Sequence, residues 1–128
     1  MKSIQKDLSR RERQIMEAVY SRRTATVAEV LADLPDPPSY SAVRATMRIL
    51  EEKGLLRHGE DGGRFIYQPV VPRNKAAQAA IRGFLAAYFD DSLEDAVASL
   101  LSVGKGTMKD ADYDRLLAMI QKAREEST

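Results

Sequence analysis

The sequence predicts a mainly helical α+β domain in which three short helices precede a small β-hairpin and further helices follow it. Three observations lead to this fold class. Apolar residues recur at helical spacing through most of the 128 residues. The spacing changes to every second residue within 55–68, and a loop at 59–63 with three glycines divides that stretch. The length fits one ordinary domain or two small ones that share a core.

Capping boxes predict where the first two helices begin. Ser9 stands three residues before Glu12, and Thr26 stands three residues before Glu29. Apolar residues follow each box at helical spacing, and Pro35 ends the second helix.

A third helix and a hairpin come next. The helix is predicted to begin at Ser39 or Ser41 and to end at Lys53, before a glycine suited to the left-handed conformation. Alternating residues then predict strands at 55–58 and 64–68, joined by the glycine-rich loop between them.

Beyond the hairpin the chain is predicted to be helical again. Helices are expected over 75–89, after the capping residue Ser92, and from Thr107 onward. We therefore expect a winged-helix domain at 1–72 and a helical domain at 73–128.

The spacing within the third helix separates a buried side from an exposed side. Val43, Met47 and Leu50 form a narrow apolar stripe that must face the other helices. At about 100° per residue, a second set falls on nearly the opposite side. This set comprises Ser41, Arg44, Ala45 and Arg48.

Three helices followed by a glycine-tipped hairpin are the plan of the winged helix-turn-helix, whose third helix enters the major groove of DNA. Arginine is well suited to the O6 and N7 edge of guanine, so Arg44 and Arg48 are expected to read bases, with Ser41 and Ala45 beside them. The start of a helix and nearby cations favour phosphate. The residues expected at the DNA backbone are Ser39, Tyr40, Ser41, Arg57 and Arg64.

Charge is distributed unevenly along the chain, although the net charge is only +1. Residues 1–75 hold 14 Lys and Arg against 10 Asp and Glu, or +4, while residues 76–128 hold 6 against 9, or −3. A basic front half fits a polyanionic partner, and an acidic back half indicates a different role.

Composition excludes several kinds of site. The chain has no cysteine and one histidine, His58, so disulfides, thiolate metal sites, cysteine nucleophiles and histidine-based triads are ruled out. No apolar run approaches the roughly 20 residues that span a bilayer. We expect a cytoplasmic protein that is not an enzyme and needs no metal or cofactor.

Several stretches resemble one family of regulators. They are L-S-x-R-E-x-x-I-M-E-A-V-Y at 8–20, A-T-V-A-E-V at 25–30, Y-S-A-V-R-A-T-M-R-I-L-E-E-K-G-L-L at 40–56 and G-R-F-I-Y-Q-P at 63–69. A further tract, F-D-D-S-x-E-x-A-V-x-x-L-L, ends at Leu101. In these motifs the chain resembles the penicillinase and methicillin-resistance repressors, a family that includes copper-responsive members (the BlaI/MecI/CopY type).

The resemblance implies a homodimeric repressor that binds a dyad-symmetric operator in double-stranded DNA through its winged helix. A β-lactamase or a related resistance gene is the target that it suggests, and the residues themselves do not identify one. In β-lactam-responsive members a sensor-linked protease inactivates the repressor, but no cleavage motif is matched around 84–93. Copper-responsive members use cysteine ligands, which this chain lacks.

The C-terminal helices carry aliphatic stripes with few partners within 76–128, so a second copy of the chain is expected to complete them. One alternative is a monomer whose C-terminal helices pack on the winged helix. Another is a winged helix that binds protein rather than specific DNA. The residues expected at the dimer interface are Phe84, Tyr88, Leu93, Val97, Leu100, Leu101, Leu116, Leu117 and Ile120.

Overall fold

Six helices and one antiparallel hairpin make up the part of the chain that the computed structural model describes, residues 8–127. The predicted class, mainly helical with a small β wing, is confirmed. In chain order the elements are α1 Arg10–Arg22, α2 Val27–Asp33, α3 Tyr40–Glu52, β1 Leu56–Asp61, β2 Arg64–Pro69, α4 Arg73–Phe89, α5 Leu93–Gly104 and α6 Asp110–Glu126.

The chain divides into two compact units, with the boundary between Gly83 and Phe84 inside α4. The domain boundary expected between residues 72 and 73 lies earlier, where α4 begins at Arg73. Because α4 contributes to both units, the division into domains at residues 72 and 73 stays a prediction.

Both capping boxes form. The Ser9 hydroxyl accepts from the Glu12 backbone N–H at 3.1 Å, and the Glu12 carboxylate accepts from the Ser9 N–H at 2.9 Å. Thr26 and Glu29 make the same reciprocal pair at 3.2 and 2.9 Å. Ser39 caps α3, since its hydroxyl accepts from the Ala42 N–H at 3.2 Å. The choice between two starting serines is thus resolved in favour of the first.

The core of the first unit lies where the three N-terminal helices meet the hairpin. Val43, Met47 and Leu50 are fully buried, as their spacing predicts. They pack with apolar residues of the other helices and of both strands. The other large, fully buried side chains of this core are Ile15, Val19, Val30 and Leu56.

The hairpin is longer and its turn is tighter than the sequence suggests. The strands pair from Leu56 opposite Pro69 to Asp61 opposite Arg64, which leaves a turn of only two residues, Gly62 and Gly63. Both glycines have positive φ, 60° and 79°, as a type I′ turn requires. The predicted loop over residues 59–63 is therefore wrong, because extended backbone continues through residue 61.

A third extended segment joins the hairpin. Ala25 and Tyr67 exchange backbone hydrogen bonds of 2.9 and 2.8 Å, which attaches the connection between α1 and α2 to β2. A single bridged residue has no alternating pattern, so the sequence gives no signal for it.

Two later helices start at other residues than predicted. Helix α4 begins at Arg73, directly after Pro72, rather than at residue 75. Helix α6 begins at Asp110 with Lys109 as its capping residue, so the start expected at Thr107 is wrong. The Thr107 hydroxyl instead donates to the Gly104 carbonyl at 2.7 Å and closes the turn after α5.

A partly buried ion pair joins the start of α1 to the end of α3. The carboxylate of Glu12, at the start of α1, accepts from Lys53 Nζ at 2.8 Å, just after α3. The Glu12 side chain is 11% exposed and the Lys53 side chain 40%. The pKa of Glu12 is lowered chiefly by the hydrogen bond from Lys53 and next by that from the Ser9 backbone, while burial opposes both.

Replacing Glu12 with glutamine is expected to reduce the free energy of unfolding by about 1–3 kcal/mol near neutral pH, because Lys53 loses its charged acceptor. A lowered folded pKa stabilises the fold above the ordinary value of 4.5, and this stabilisation is lost as the pH falls through the lowered value. Urea unfolding of both proteins at about pH 7 and about pH 2 measures the change. The difference should shrink in acid. Glu17→Gln, exposed on the same helix, is the control and should change little at either pH.

Candidate nucleic-acid interface

The outward side of α3 carries the residues that spacing places there. Ser41, Arg44, Ala45 and Arg48 are all exposed, opposite the buried stripe. Arg48 Nε lies 3.6 Å from a carboxylate oxygen of Glu52, and the two side chains are 82% and 66% exposed. An exposed pair of this kind contributes little, so Arg48 can exchange this partner for another acceptor.

The start of α3 combines a structural hydroxyl with an exposed ring. The Ser39 oxygen accepts from the Ala42 N–H and thereby fixes the first turn. Its own O–H proton is still able to donate. Tyr40, the first helical residue, is half exposed. These residues lie at the positive end of the helix dipole of α3, a position that favours anions.

The connection between α2 and α3 is bound by a residue that is distant in sequence. The Arg11 guanidinium donates to the Pro35 carbonyl at 3.2 Å and to the Asp36 carbonyl at 3.1 Å. Asp36 has a positive φ of 44°, which costs a non-glycine residue energy and needs support. Arg11 therefore fixes how α2 leads into α3, although no local pattern marks an arginine 24 residues away.

The hairpin presents its two arginines on one face. Cross-strand partners share a face, and Arg57 pairs with Gln68 while Arg64 pairs with Asp61. Arg57 and Asp61 are four residues apart on β1, so all four side chains lie on the same face. With Glu60 also near the turn, the two arginines of β1 and β2 are balanced by two carboxylates.

Arg64 also acts on the helical part of the domain. The pKa of Glu29 is lowered mainly by the backbone hydrogen bond from Thr26, and Arg22 and Arg64 lower it further. The Arg64 charge is thus close enough to α2 to act on Glu29.

A histidine joins the hairpin to the recognition helix α3. Nδ1 of His58, on β1, lies 2.6 Å from a carboxylate oxygen of Glu51, on α3. The imidazole stacks on Phe65 of β2, with ring centroids 4.0 Å apart and planes 20° apart. Tyr67, next to this stack, is buried. The contact with Glu51 therefore joins the wing to α3, and the ring stack holds the two strands of the wing together.

Arg44 lies near this junction. Burial raises the pKa of Tyr67, the Glu51 carboxylate raises it further, and the positive charge of Arg44 opposes both. The positive charge of Arg44 therefore lies close enough to the wing to act on Tyr67.

A family model described as penicillinase repressor matches residues 8–122, most of the chain. The chain belongs to the penicillinase repressor family. This confirms the resemblance seen in the motifs. Membership and the winged helix together make this penicillinase repressor family protein a DNA-binding transcription regulator.

Solved structures resemble the chain at low identity. MepR, a transcription regulator of the Staphylococcus aureus multidrug efflux pump MepA, is 16% identical with a TM-score of 0.53, over 97% of this chain and 83% of that one. Bordetella bronchiseptica BpsR, whose DNA binding is regulated by 6-hydroxynicotinic acid, is 13% identical with a TM-score of 0.48, over 94% and 78%. No curated protein matches the sequence. At its identity MepR supports the winged-helix fold alone.

The second unit of this penicillinase repressor family protein leaves its apolar side chains largely uncovered. Among residues 84–127, only Ala96 is buried. Of the residues expected at a dimer interface, Leu116 is half-buried. The others are exposed, namely Phe84, Tyr88, Leu93, Val97, Leu100, Leu101, Leu117 and Ile120. None of the helices within residues 8–127 is long and apolar enough to cross a membrane.

Proposed function

We propose that this protein is a transcriptional repressor that binds a dyad-symmetric operator as a homodimer. The observation that carries the proposal is the fully buried stripe of α3. It leaves Arg44 and Arg48 outward on the helix that winged-helix proteins insert into the major groove. Bound at a promoter, the dimer represses by occluding polymerase.

Base recognition is assigned to the middle of α3. Arg44 and Arg48 donate to O6 and N7 of guanine, and a well-formed bidentate contact discriminates by about 1–3 kcal/mol. Ala45 is small enough to let the helix approach the base edges, and Ser41 lies on the same side.

Backbone contacts are assigned to both ends of this surface. Ser39 and Tyr40 meet a phosphate at the start of α3. Arg57 and Arg64 meet the backbone from the wing. Carboxylates balance the charge of the wing, so the wing adds little non-specific attraction to DNA. Its arginines instead position the protein on the DNA backbone.

The homodimer is supported by the exposed apolar residues of the second unit. Tyr88, Leu93 and Leu100 are 72%, 67% and 68% exposed, and they belong to two successive helices. Exposed apolar residues on this scale mark interaction surfaces. A second copy of the chain supplies a matching surface with two-fold symmetry, as a dyad-symmetric operator requires.

The family description supports a penicillinase (β-lactamase) gene, or a related resistance gene, as the target. Action on a bacterial-type promoter implies a cytoplasmic location. The proposed mechanism uses DNA and a second chain as partners and needs no cofactor.

Arg44→Ala and Arg48→Ala are each expected to weaken binding to the preferred sequence by about 1–3 kcal/mol, with little change on other DNA, because they remove base contacts. Fluorescence anisotropy measures Kd on a duplex selected by the wild type from a random library and on a scrambled duplex of the same composition. Arg124→Ala, near the end of α6, is the matched control and should bind like the wild type.

Equal losses on both duplexes would show that the two arginines touch phosphate only. Failure of the wild type to select any sequence would favour the alternative of a protein-binding winged helix.

Leu117→Asp is expected to convert the dimer to monomers, because a charge buried at the interface costs several kcal/mol. Leu117 is 64% exposed in the single chain, so the change should leave the fold of each chain intact. Sedimentation at micromolar concentration should give twice the 14.3 kDa of one chain for the wild type and 14.3 kDa for the variant. Ala118→Asp, an adjacent exposed position, is the control. A wild type of 14.3 kDa contradicts the homodimer.

A further inference from the structure

Ile49 is a large apolar side chain on the exposed part of α3. The stripe of Val43, Met47 and Leu50 on the same helix is fully buried, whereas Ile49 is 45% exposed. A single exposed aliphatic side chain does not by itself indicate a function. The position of Ile49 on α3, beside the exposed arginines, does indicate one.

The outward side of α3 consists of two parallel ridges. Residues four apart are neighbours along a helix. Arg44 and Arg48 therefore form a cationic ridge, and Ala45 and Ile49, each one residue further along the chain, form an apolar ridge beside it. All four residues are exposed. The surface that faces DNA thus offers hydrogen-bond donors along one line and methyl groups along the next.

Thymine is the base whose major-groove edge matches the apolar ridge. It carries a 5-methyl group there, and small or apolar side chains recognise it by contact. Adenine, guanine and cytosine carry no methyl group at the corresponding edges.

We propose that Ile49, together with Ala45, contacts the 5-methyl group of a thymine in each operator half-site and is a specificity-determining residue. The inference rests on the proposed function, because it requires α3 to lie in the major groove. Since the two ridges run side by side, the thymine neighbours the guanine that Arg44 or Arg48 reads.

Replacing thymine by deoxyuridine tests this contact, because it removes the methyl group and keeps base pairing. The probe is the duplex that the wild type selects from a random library, made with thymine and again with deoxyuridine. Anisotropy gives the ratio of the two Kd values. For the wild type the deoxyuridine duplex should bind about fourfold more weakly per contacted methyl, and more than tenfold more weakly for two half-sites.

Ile49→Ala should lower this ratio to the smaller value that Ala45 alone sustains, and Ile49→Val should retain most of the wild-type ratio. Ile81→Ala, an exposed isoleucine on α4, is the matched control and should keep the wild-type ratio. Thermal midpoints equal to that of the wild type show that the variants are folded, as the exposure of Ile49 leads us to expect.

A wild type that binds both duplexes equally overturns the inference, and so does an Ile49→Ala variant with the wild-type ratio. In either case the selected sequence still stands, and the proposed function with it. A wild type that selects no sequence contradicts the proposed function itself.

Discussion

The burial of Val43, Met47 and Leu50 is the constraint on which the rest of the structure depends. These three side chains are fully enclosed by α1, α2 and the wing. Because a helix has a fixed angle per residue, burying one stripe determines which residues face outward. Rotating α3 enough to hide its arginines would expose about three core side chains, each worth about 1.5–3 kcal/mol. Hydrophobic packing therefore determines which side of α3 is exposed, the side that carries the residues proposed to read DNA.

Polar contacts at several points also fix the position of α3. Arg11 fixes the connection that leads into the helix, and the Glu12 carboxylate holds Lys53 just after the helix ends. The pair between Glu51 and His58 connects the helix to the wing. A recognition helix fixed before it meets DNA loses less conformational entropy on binding, which favours affinity.

Local patterns predicted much of this architecture. The boxes at Ser9 and Thr26 locate the first two helices, since cap and acceptor lie only three residues apart. The outward arginines follow from spacing alone. The turn of the wing was misplaced because Gly59 was assigned to the loop, whereas it pairs with Ile66 in the strands. Composition cannot distinguish a strand glycine from a turn glycine.

Long-range contacts and the exposure of individual side chains do not follow from local sequence patterns. Arg11 and Glu12 act on residues 24 and 41 positions away, and no periodicity marks such pairs. Ile49 is not among the predicted DNA contacts, and the structure shows that it is 45% exposed, outside the buried stripe of α3. The roles of the DNA-binding and dimer residues stay predictions, since they concern partners outside the single chain.

Methylation interference on the selected operator tests most directly whether the outward side of α3 reads the major groove. Dimethyl sulfate methylates guanine at N7, in the major groove, and adenine at N3, in the minor groove. We predict that N7-methylguanine blocks wild-type binding at positions related by a dyad, one set in each half-site. The account would be contradicted if no methylated guanine interfered with binding, or if only N3-methyladenine did.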